Sequence, residues 1–279
     1  MMLFSFNRAM SIPVVGICCA LCALASAQAT TSAPATMPVG NENGAKLVQN
    51  VQYGEATGEK LLLDVSVPAG QGPFGVVIMV HGGGWSGGDK QKDVTPALEA
   101  MTGKFVWFSI NYRMAPKNRW PACLEDVATA VRWIKAHAAE YKGDPKRVVL
   151  MGHSAGGHLA CAVALQADDA TRVQGVVGLA PVTDFVVDTK RRGGLSKSLQ
   201  WLLNETVADE RVLAILREMS PIEHVHAGAP PFLLLQGSVD KTVPREQTES
   251  FAAKLSIVWR IGSGNQRCVE SIAGNHSSV

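Results

Sequence analysis

The chain has 279 residues, of which 47% are hydrophobic and 18% charged, and its formal net charge at pH 7 is +2. A chain of this length and composition can bury one large core, which favours a single domain. The small net charge argues against nucleic acid as a partner, because that binding relies on a strong positive field.

The N-terminus has the pattern of a secretory signal peptide over residues 1–27. Arg8 supplies the basic start, residues 12–24 form the apolar run, and Ala27 ends a cleavage site of small residues. Residues 28–44 are rich in Ala, Thr, Ser and Pro, which is typical of a flexible leader. The sequence therefore predicts an exported protein, periplasmic or extracellular, with a folded domain over residues 45–279. We expect no stable membrane insertion once the signal is removed.

Three cysteines follow the signal, namely Cys123, Cys161 and Cys268. An odd number allows at most one disulfide. Cys123 and Cys161 stand at helix positions, where we expect buried thiols.

Apolar runs alternate with helix-length segments along the domain. This alternation predicts an α/β fold with a mostly parallel, eight-stranded sheet and helices on both faces. The clearest helix covers residues 125–139, with Val127, Val131 and Ile134 on one apolar stripe. Residues 185–219 fall between two strands and fit either a small cap insertion or a plain surface excursion. The candidate strands are residues 46–52, 61–67, 76–80, 105–110, 147–151, 174–179, 232–236 and 267–272.

A G-x-S-x-G pentapeptide at residues 152–156 follows directly on a candidate strand and precedes a helix-forming segment. This context predicts a nucleophile elbow. A sharp strand-to-helix turn needs small neighbours, which Gly152 and Gly156 provide. We therefore expect Ser154 to be a nucleophile at the carboxyl edge of the sheet, beside a helix N-terminus that favours developing negative charge.

A run of glycines, Gly82 to Gly84, stands between His81 and Trp85 and follows the candidate strand 76–80. Glycines let the backbone approach a reacting group without obstruction by Cβ atoms. The run predicts an oxyanion hole formed by the N–H groups of Gly83, Gly84 and Ala155. The alternative, a turn that binds phosphate, lacks the G-K-[ST] or G-x-G-x-x-G pattern that would accompany it.

A serine nucleophile needs a histidine base and an acid that orients it. When the nucleophile lies on a strand–turn–helix, the chain order is serine, acid, histidine. Asp240 comes just after strand 232–236 and His276 just after strand 267–272, so the order predicts the triad Ser154, Asp240 and His276.

The remaining histidines fit other roles. His153 and His158 lie on the elbow itself, where packing or hydrogen bonding is expected, and His224 and His226 precede the acid. No histidine pair has H-E-x-x-H spacing, and C-x-x-C occurs only in the signal segment. We therefore expect neither a metal nor a cofactor.

Four motifs, at residues 81–85, 111–116, 152–158 and 237–240, together resemble the α/β-hydrolase superfamily. The resemblance covers about residues 47–276 and is greatest to secreted carboxylesterases of the hormone-sensitive-lipase-like and feruloyl/acetylxylan groups. His153 stands where the hormone-sensitive-lipase-like group usually has Asp, which favours the feruloyl/acetylxylan side.

The resemblance implies a serine hydrolase that cleaves carboxylic esters with short acyl or aryl groups, in small molecules or acylated polysaccharides. Trp85 and Tyr112 are expected to line the substrate pocket. Arylformamidases also resemble the chain through their HGG-x-W loop, so an amidase on the same triad is an alternative. A catalytically impaired binding module is another, because the chain stops three residues after His276, where this fold usually continues into a helix.

Overall fold

The computed structural model describes residues 44–91, 95–262 and 269–273. The predicted signal peptide, residues 28–43 of the predicted leader, Cys268 and His276 lie outside these ranges. The strands of the described part are β1 (Lys46–Ala56), β2 (Glu59–Val67), β3 (Phe74–Val80), β4 (Val106–Ile110), β5 (Gly143–His153), β6 (Gly175–Leu179), β7 (Phe232–Gln236) and β8 (Val269–Ala273). Its α-helices are α1 (Thr95–Met101), α2 (Ala122–His137), α3 (Ala155–Leu165), α4 (Phe185–Arg192), α5 (Lys197–Leu203), α6 (Glu210–Met219) and α7 (Arg245–Gly262).

The eight described strands form one sheet in the order β1-β2-β4-β3-β5-β6-β7-β8. Strand β2 pairs antiparallel with β1 and with β4, and the other pairs are parallel. The predicted mostly parallel, eight-stranded sheet is therefore confirmed. Because β3, β5, β6, β7 and β8 run in the same direction, their carboxyl ends meet at one edge of the sheet, where ligands bind in open α/β sheets.

Two strands are longer than their apolar runs predicted. Strand β1 continues to Ala56 and joins β2 through a two-residue turn at Thr57 and Gly58, both with positive φ (50° and 74°). Such a turn matches the twist of a hairpin, so pairing with β2 extends β1 through polar residues that carry no apolar signal. Strand β5 begins at Gly143, before the apolar run at residues 147–151.

The central strand β3 is buried on both faces, and its side chains alternate between two clusters. Val76, Ile78 and Val80 pack with residues of α2 and α3 on one face. Val77 and Met79 pack with residues of α1 on the other. Burial on both faces explains the continuous apolar run that marks this strand in the sequence.

The predicted helix at residues 125–139 is α2, which starts three residues earlier, at Ala122. Its Val127, Val131 and Ile134 are buried as the stripe predicted. Cys123 and Cys161 are both buried and free, which confirms the expectation of buried thiols. No helix in the described ranges is long and apolar enough to cross a membrane.

Residues 185–219 contain the three short helices α4, α5 and α6 between β6 and β7. Each begins at a residue whose side chain caps it: Asp184, Ser196 and Asp209 accept hydrogen bonds from the backbone N–H three residues later. Gly193 ends α4 in the left-handed conformation, with φ 72°. The segment is thus an ordered helical insertion.

Candidate active site

Ser154 occupies the turn between β5, which ends at His153, and α3, which begins at Ala155. Its backbone has φ 53° and ψ −116°, a conformation that a residue with a Cβ adopts only when its surroundings impose it. The Ser154 N–H donates to the carbonyl oxygen of Leu179, at the end of β6, over 2.8 Å. The neighbouring strand therefore helps to hold the strained turn.

Close backbone approach explains the glycines on either side of the serine. A Cβ built on Gly152 would lie 2.2 Å from the carbonyl oxygen of Gly156. A Cβ built on Gly156 would lie 2.2 Å from that of Val80 and 2.4 Å from that of His81. Helix α3 therefore packs directly on the end of β3, and only residues without a side chain permit that approach.

The glycine loop begins where β3 ends and faces the elbow. A Cβ built on Gly82 would lie 3.5 Å from the Cβ of Ser154. Gly83, Gly84 and Trp85 all have positive φ, at 108°, 59° and 58°. The N–H groups of Ser86 and Gly87 close the loop by donating to the carbonyl oxygen of Gly83, over 3.2 Å and 3.0 Å.

The N–H groups of Gly83 and Gly84 donate to no residue in the described part of the chain. Ala155 is the first residue of α3, so its N–H has no partner within the helix. The predicted oxyanion donors therefore lie on two segments that face each other, the glycine loop and the elbow that contains Ser154.

Two aromatic side chains brace the glycine loop. Tyr112 is 3% exposed, its ring stacks on His81 with centroids 4.4 Å apart, and its hydroxyl donates to the His81 carbonyl oxygen over 3.0 Å. Burial raises the pKa of Tyr112 far above its usual range. Trp85 is 5% exposed, and its backbone carbonyl accepts from the Ala115 N–H over 2.8 Å. Sequence reasoning missed this bracing, and the pocket-lining role of both residues stays a prediction.

His158 links the loop to α3, the helix that follows Ser154. The Trp85 indole N–H donates to Nδ1 of His158 over 3.1 Å, and Nε2 of His158 lies 2.9 Å from the carbonyl oxygen of Met219. Burial lowers the pKa of His158 to about 4, so the ring is neutral at pH 7. The sequence-based expectation that this histidine packs and hydrogen-bonds is confirmed.

The far end of the loop is fixed by a buried ion pair between Lys90 and Asp64, with 3.1 Å between Nζ and Oδ1. The Lys90 N–H also donates to Oδ1 of Asn111, and Nδ2 of Asn111 donates to Asp89. Sequence reasoning did not predict this cluster, because its members come from β2, the loop and the residue after β4. It ties the loop to the antiparallel side of the sheet.

Asp240 lies in the turn after β7 and is partly exposed. Its Oδ1 accepts from the N–H groups of Thr242 and Val243, over 2.8 Å and 3.0 Å, and its Oδ2 accepts from Nε2 of Gln236 over 3.2 Å. Two backbone bonds fix one oxygen of the carboxylate. Among the residues that the structure describes, the other oxygen accepts only from the Gln236 side chain.

The helical insertion touches both sides of the site. A Cβ built on Gly84 would lie 2.7 Å from Oγ of Ser198, in α5. The carbonyl oxygen of Leu202 accepts from the Trp120 N–H over 3.0 Å. At the end of α4, Arg192 donates to the carbonyl oxygen of Thr242, beside Asp240, over 2.7 Å. The insertion therefore reaches from the glycine loop to the turn after β7 that contains Asp240.

His276 lies outside the described residues, although the strand that leads towards it does not. Strand β8 pairs with β7 and ends at Ala273, opposite Gln236. The chain thus reaches the edge that carries Ser154 and Asp240 three residues before His276.

Other proteins share this architecture. The chain is 34% identical over 194 residues to the probable carboxylic ester hydrolase LipM of Mycobacterium tuberculosis, an alignment covering 64% of this chain and 44% of LipM. The chain spans about half the length of the curated relatives it matches. Esterase 2 of Thermogutta terrifontis, phosphonylated by cyclosarin, superposes with a TM-score of 0.62 at 26% identity, covering 78% of this chain and 80% of that one. A bifunctional GH43-CE protein of Bacteroides eggerthii superposes with a TM-score of 0.69 at 24% identity, covering 80% of this chain and 31% of that one.

The family model BD-FAE matches residues 63–255, which include the glycine loop, the elbow and Asp240. Fold, site geometry and this match agree with the resemblance that the four motifs carry. The chain belongs to the BD-FAE family of α/β-hydrolase esterases.

Proposed function

We propose that the protein hydrolyses carboxylic esters, with Ser154 as nucleophile, His276 as base and Asp240 as the acid that orients it. The observation that carries the proposal is the strained backbone of Ser154, at φ 53° and ψ −116°, on a turn that faces the glycine loop. Strain of this kind at a strand–helix turn is characteristic of a nucleophile that must project from the sheet.

In the proposed reaction, Oγ of Ser154 attacks the ester carbonyl carbon while His276 takes the hydroxyl proton. His276 then gives that proton to the leaving alcohol, and an acyl-enzyme remains. Water, deprotonated by His276, attacks the acyl carbon, and Ser154 leaves with the proton. Asp240 stabilises the imidazolium that forms in each half of the cycle.

The carbonyl oxygen becomes negative in both halves, and Gly83, Gly84 and Ala155 are the proposed donors to it. Support comes from the N–H groups of the two glycines, which donate to none of the described residues, and from the position of Ala155 at the start of α3. Losing one such donor costs about 2.7–4 kcal/mol in transition-state stabilisation. The helix N-terminus adds a favourable partial charge.

His276 is the proposed base because it follows the acid in the chain and five of the six described histidines have a ring nitrogen near a backbone carbonyl oxygen. A backbone carbonyl oxygen lies 2.7–3.1 Å from a ring nitrogen of five of them: His81, His137, His158, His224 and His226. The sixth, His153, directly precedes the nucleophile, and its Nδ1 lies 3.0 Å from the Cβ position of Gly82. Within the described residues, Oδ2 of Asp240 accepts only from the Gln236 side chain, which leaves it capacity to accept from an imidazole as well.

We further propose that residues 185–219 are a cap that lines a pocket for a short acyl or aryl group. The large apolar side chains Phe185, Leu199 and Leu202 are at most 2% exposed and belong to the core. Trp201 alone among the aromatic residues of the segment is substantially exposed, at 42%. The other exposed large apolar side chains of the segment are Val187 and Val207, at 53% and 68%. Two valines and one tryptophan offer little surface for a long lipid chain, so the segment suits a small-molecule ester or an acylated polysaccharide better. Residues 1–27 remain a proposed export signal.

The test is turnover by the purified protein of a panel that contains p-nitrophenyl esters from acetate to decanoate, methyl ferulate, acetylated xylan and N-formylkynurenine. Turnover of the last compound alone would favour the amidase alternative. Ser154→Ala should fold normally and lose about 10⁴-fold or more in kcat, and His276→Ala should lose a comparable factor, because triad members act as a unit. Ser238→Ala, an exposed serine two residues before Asp240, is the control and should behave as the parent.

Covalent labelling gives a second readout. An organophosphate should modify Ser154, as the phosphonylated state of Thermogutta terrifontis esterase 2 suggests. Labelling at another serine, or ester turnover by Ser154→Ala at the rate of the parent, would contradict the proposal.

A further inference from the structure

The ring of His158 contacts three segments that are distant from one another in the sequence. The residue lies on α3, one turn after Ser154, and is completely buried. Its Nδ1 faces the indole of Trp85, which follows the glycines of the loop, and its Nε2 faces the backbone of Met219 at the end of α6. The rings of Trp85, Trp120 and Phe185 surround it, with centroids 4.7–5.7 Å away.

These partners define the tautomer. An indole N–H can only donate, so Nδ1 must accept, and the ring proton must be on Nε2, from which it donates to the Met219 carbonyl oxygen. One ring thus supplies an acceptor to the glycine loop and a donor to the helical insertion. Both hydrogen bonds are buried, so the loss of either one would leave a buried polar group without a partner and destabilise the fold.

Trp85 is the residue through which His158 acts on the loop. Its φ of 58° lies in the left-handed region, directly after Gly83 and Gly84, which also have positive φ. Glycines have no side chains to hold such a backbone, so the fixed side chain that follows them sets where their N–H groups point. His158 fixes that side chain from the same helix that begins at the nucleophile.

We infer that His158 is a positioning residue, which sets the oxyanion loop relative to Ser154 through its hydrogen bond to Trp85. The inference rests on the proposed ester hydrolysis, since it assigns the loop to stabilisation of the oxyanion. A misplacement of about 1 Å between reacting groups can cost about 10²-fold in rate. Loss of the Trp85 bond should therefore lower kcat, with little effect on substrate affinity.

Two substitutions separate the two bonds. His158→Asn places an amide oxygen near the position of Nδ1 and keeps an acceptor for Trp85. His158→Gln places an amide nitrogen near the position of Nε2 and keeps a donor for Met219. His158→Asn should retain kcat on p-nitrophenyl acetate within about threefold. His158→Gln should lose about tenfold or more in kcat, with a KM change below about threefold.

The chain offers a control in His226, an exposed histidine that also uses both ring nitrogens. Its Nδ1 accepts from the Gly228 N–H over 3.1 Å, and its Nε2 lies 3.1 Å from the Leu165 carbonyl oxygen, at the far end of α3. The same two substitutions at His226 should lower Tm only slightly and leave kcat unchanged. If kcat fell equally in both His158 variants, or followed Tm across all four variants, His158 would be structural only and the inference would be wrong.

Hydrogen exchange gives a readout that needs no activity. The amides of Ser86, Gly87 and Ala115 are bonded within the loop or to Trp85 and report its order. They should exchange about tenfold or more faster in His158→Gln than in the parent, and at the rate of the parent in His158→Asn. Equal exchange rates in both variants would overturn the inference, whether or not the parent turns over any ester. Lack of ester turnover by the parent would instead refute the proposed function.

Trp85→Phe completes the test, because it removes the indole donor while leaving His158 in place. It should lose kcat and exchange protection as His158→Gln does, and combining the two changes should add little. If neither His158 variant folds, Trp85→Phe decides, and unchanged kcat and exchange in that variant would overturn the inference.

Discussion

The contact between α3 and β3 allows a sharp test with two adjacent glycines. A Cβ at Gly156 would lie 2.2 Å from the Val80 carbonyl oxygen, whereas real Cβ contacts do not fall below 3.0 Å. Gly156→Ala must therefore move the start of α3 by about 0.8 Å from the strand that carries the glycine loop. A shift of this size between the proposed nucleophile and the proposed oxyanion donors should cost about 10²-fold in kcat. The overpacking itself should cost about 1–3 kcal/mol of stability.

Gly157→Ala is the matched control, one residue further along the same helix. Its Cβ would meet Gly152 and Pro181 at 3.0–3.1 Å, which a shift of a few tenths of an ångström relieves. The higher helix propensity of Ala, worth up to about 1 kcal/mol, offsets that contact. We expect Gly157→Ala to keep kcat within about threefold and a nearly unchanged Tm. The assay is p-nitrophenyl acetate turnover beside urea unfolding. Turnover by Gly156→Ala at the rate of the parent would refute the reasoning.

Three further predictions follow from the same geometry. Gly84→Val should lose more than the roughly 2.7–4 kcal/mol of a single oxyanion donor, measured as kcat on p-nitrophenyl acetate, because φ is +59° there and Oγ of Ser198 lies 2.7 Å from the new Cβ. Acetate or butyrate esters should be preferred to decanoate in kcat/KM, since Phe185, Leu199 and Leu202 are buried in the core and the segment exposes only Val187, Trp201 and Val207 among its large apolar side chains; a preference for decanoate would contradict the short-acyl pocket. The free energy of unfolding should decrease as the pH is lowered below about 6.5. His158 has a pKa of about 4 in the folded protein and 6.5 in the unfolded chain, so between these values only the unfolded chain binds the extra proton. The loss attributable to His158 should reach about 3 kcal/mol near pH 4, measured as the difference in urea unfolding between the parent and His158→Asn; an equal pH dependence in both would contradict it.

The features that the sequence predicted are those encoded by neighbouring residues. The elbow needs a β-forming run, two glycines around Ser154 and a helix-forming segment, all within some fifteen residues. The glycine loop and Asp240 are marked in the same way by the buried strands that end just before them. Because parallel strands end at one edge, local patterns also predicted that these segments would meet there.

The features that the sequence did not predict are pairings between distant residues. Trp85 and His158 are 73 positions apart, and nothing in the pattern around either residue identifies the other as its partner. The buried ion pair of Lys90 with Asp64 likewise joins residues of two separate segments, the loop and β2. An aromatic residue beside a glycine run can line a substrate pocket or hold the run in place, and the sequence does not distinguish these roles. Sequence reasoning therefore assigned Trp85 to the pocket and missed its hydrogen bond.

The distribution of buried polar groups follows from the glycine loop itself. Glycines permit the close approach that oxyanion donors need, but they lose the most conformational entropy on ordering and contribute no packing of their own. The loop must therefore be held by the residues around it. It is held at its start by Tyr112 on the carbonyl of His81, at its middle by His158 on Trp85, and at its far end by the pair of Lys90 with Asp64. Apolar contacts alone are non-directional, whereas hydrogen bonds fix orientation as well as distance. In a loop that is proposed to direct N–H groups at one point, the orientation that buried polar side chains impose therefore offsets the free energy lost in desolvating them.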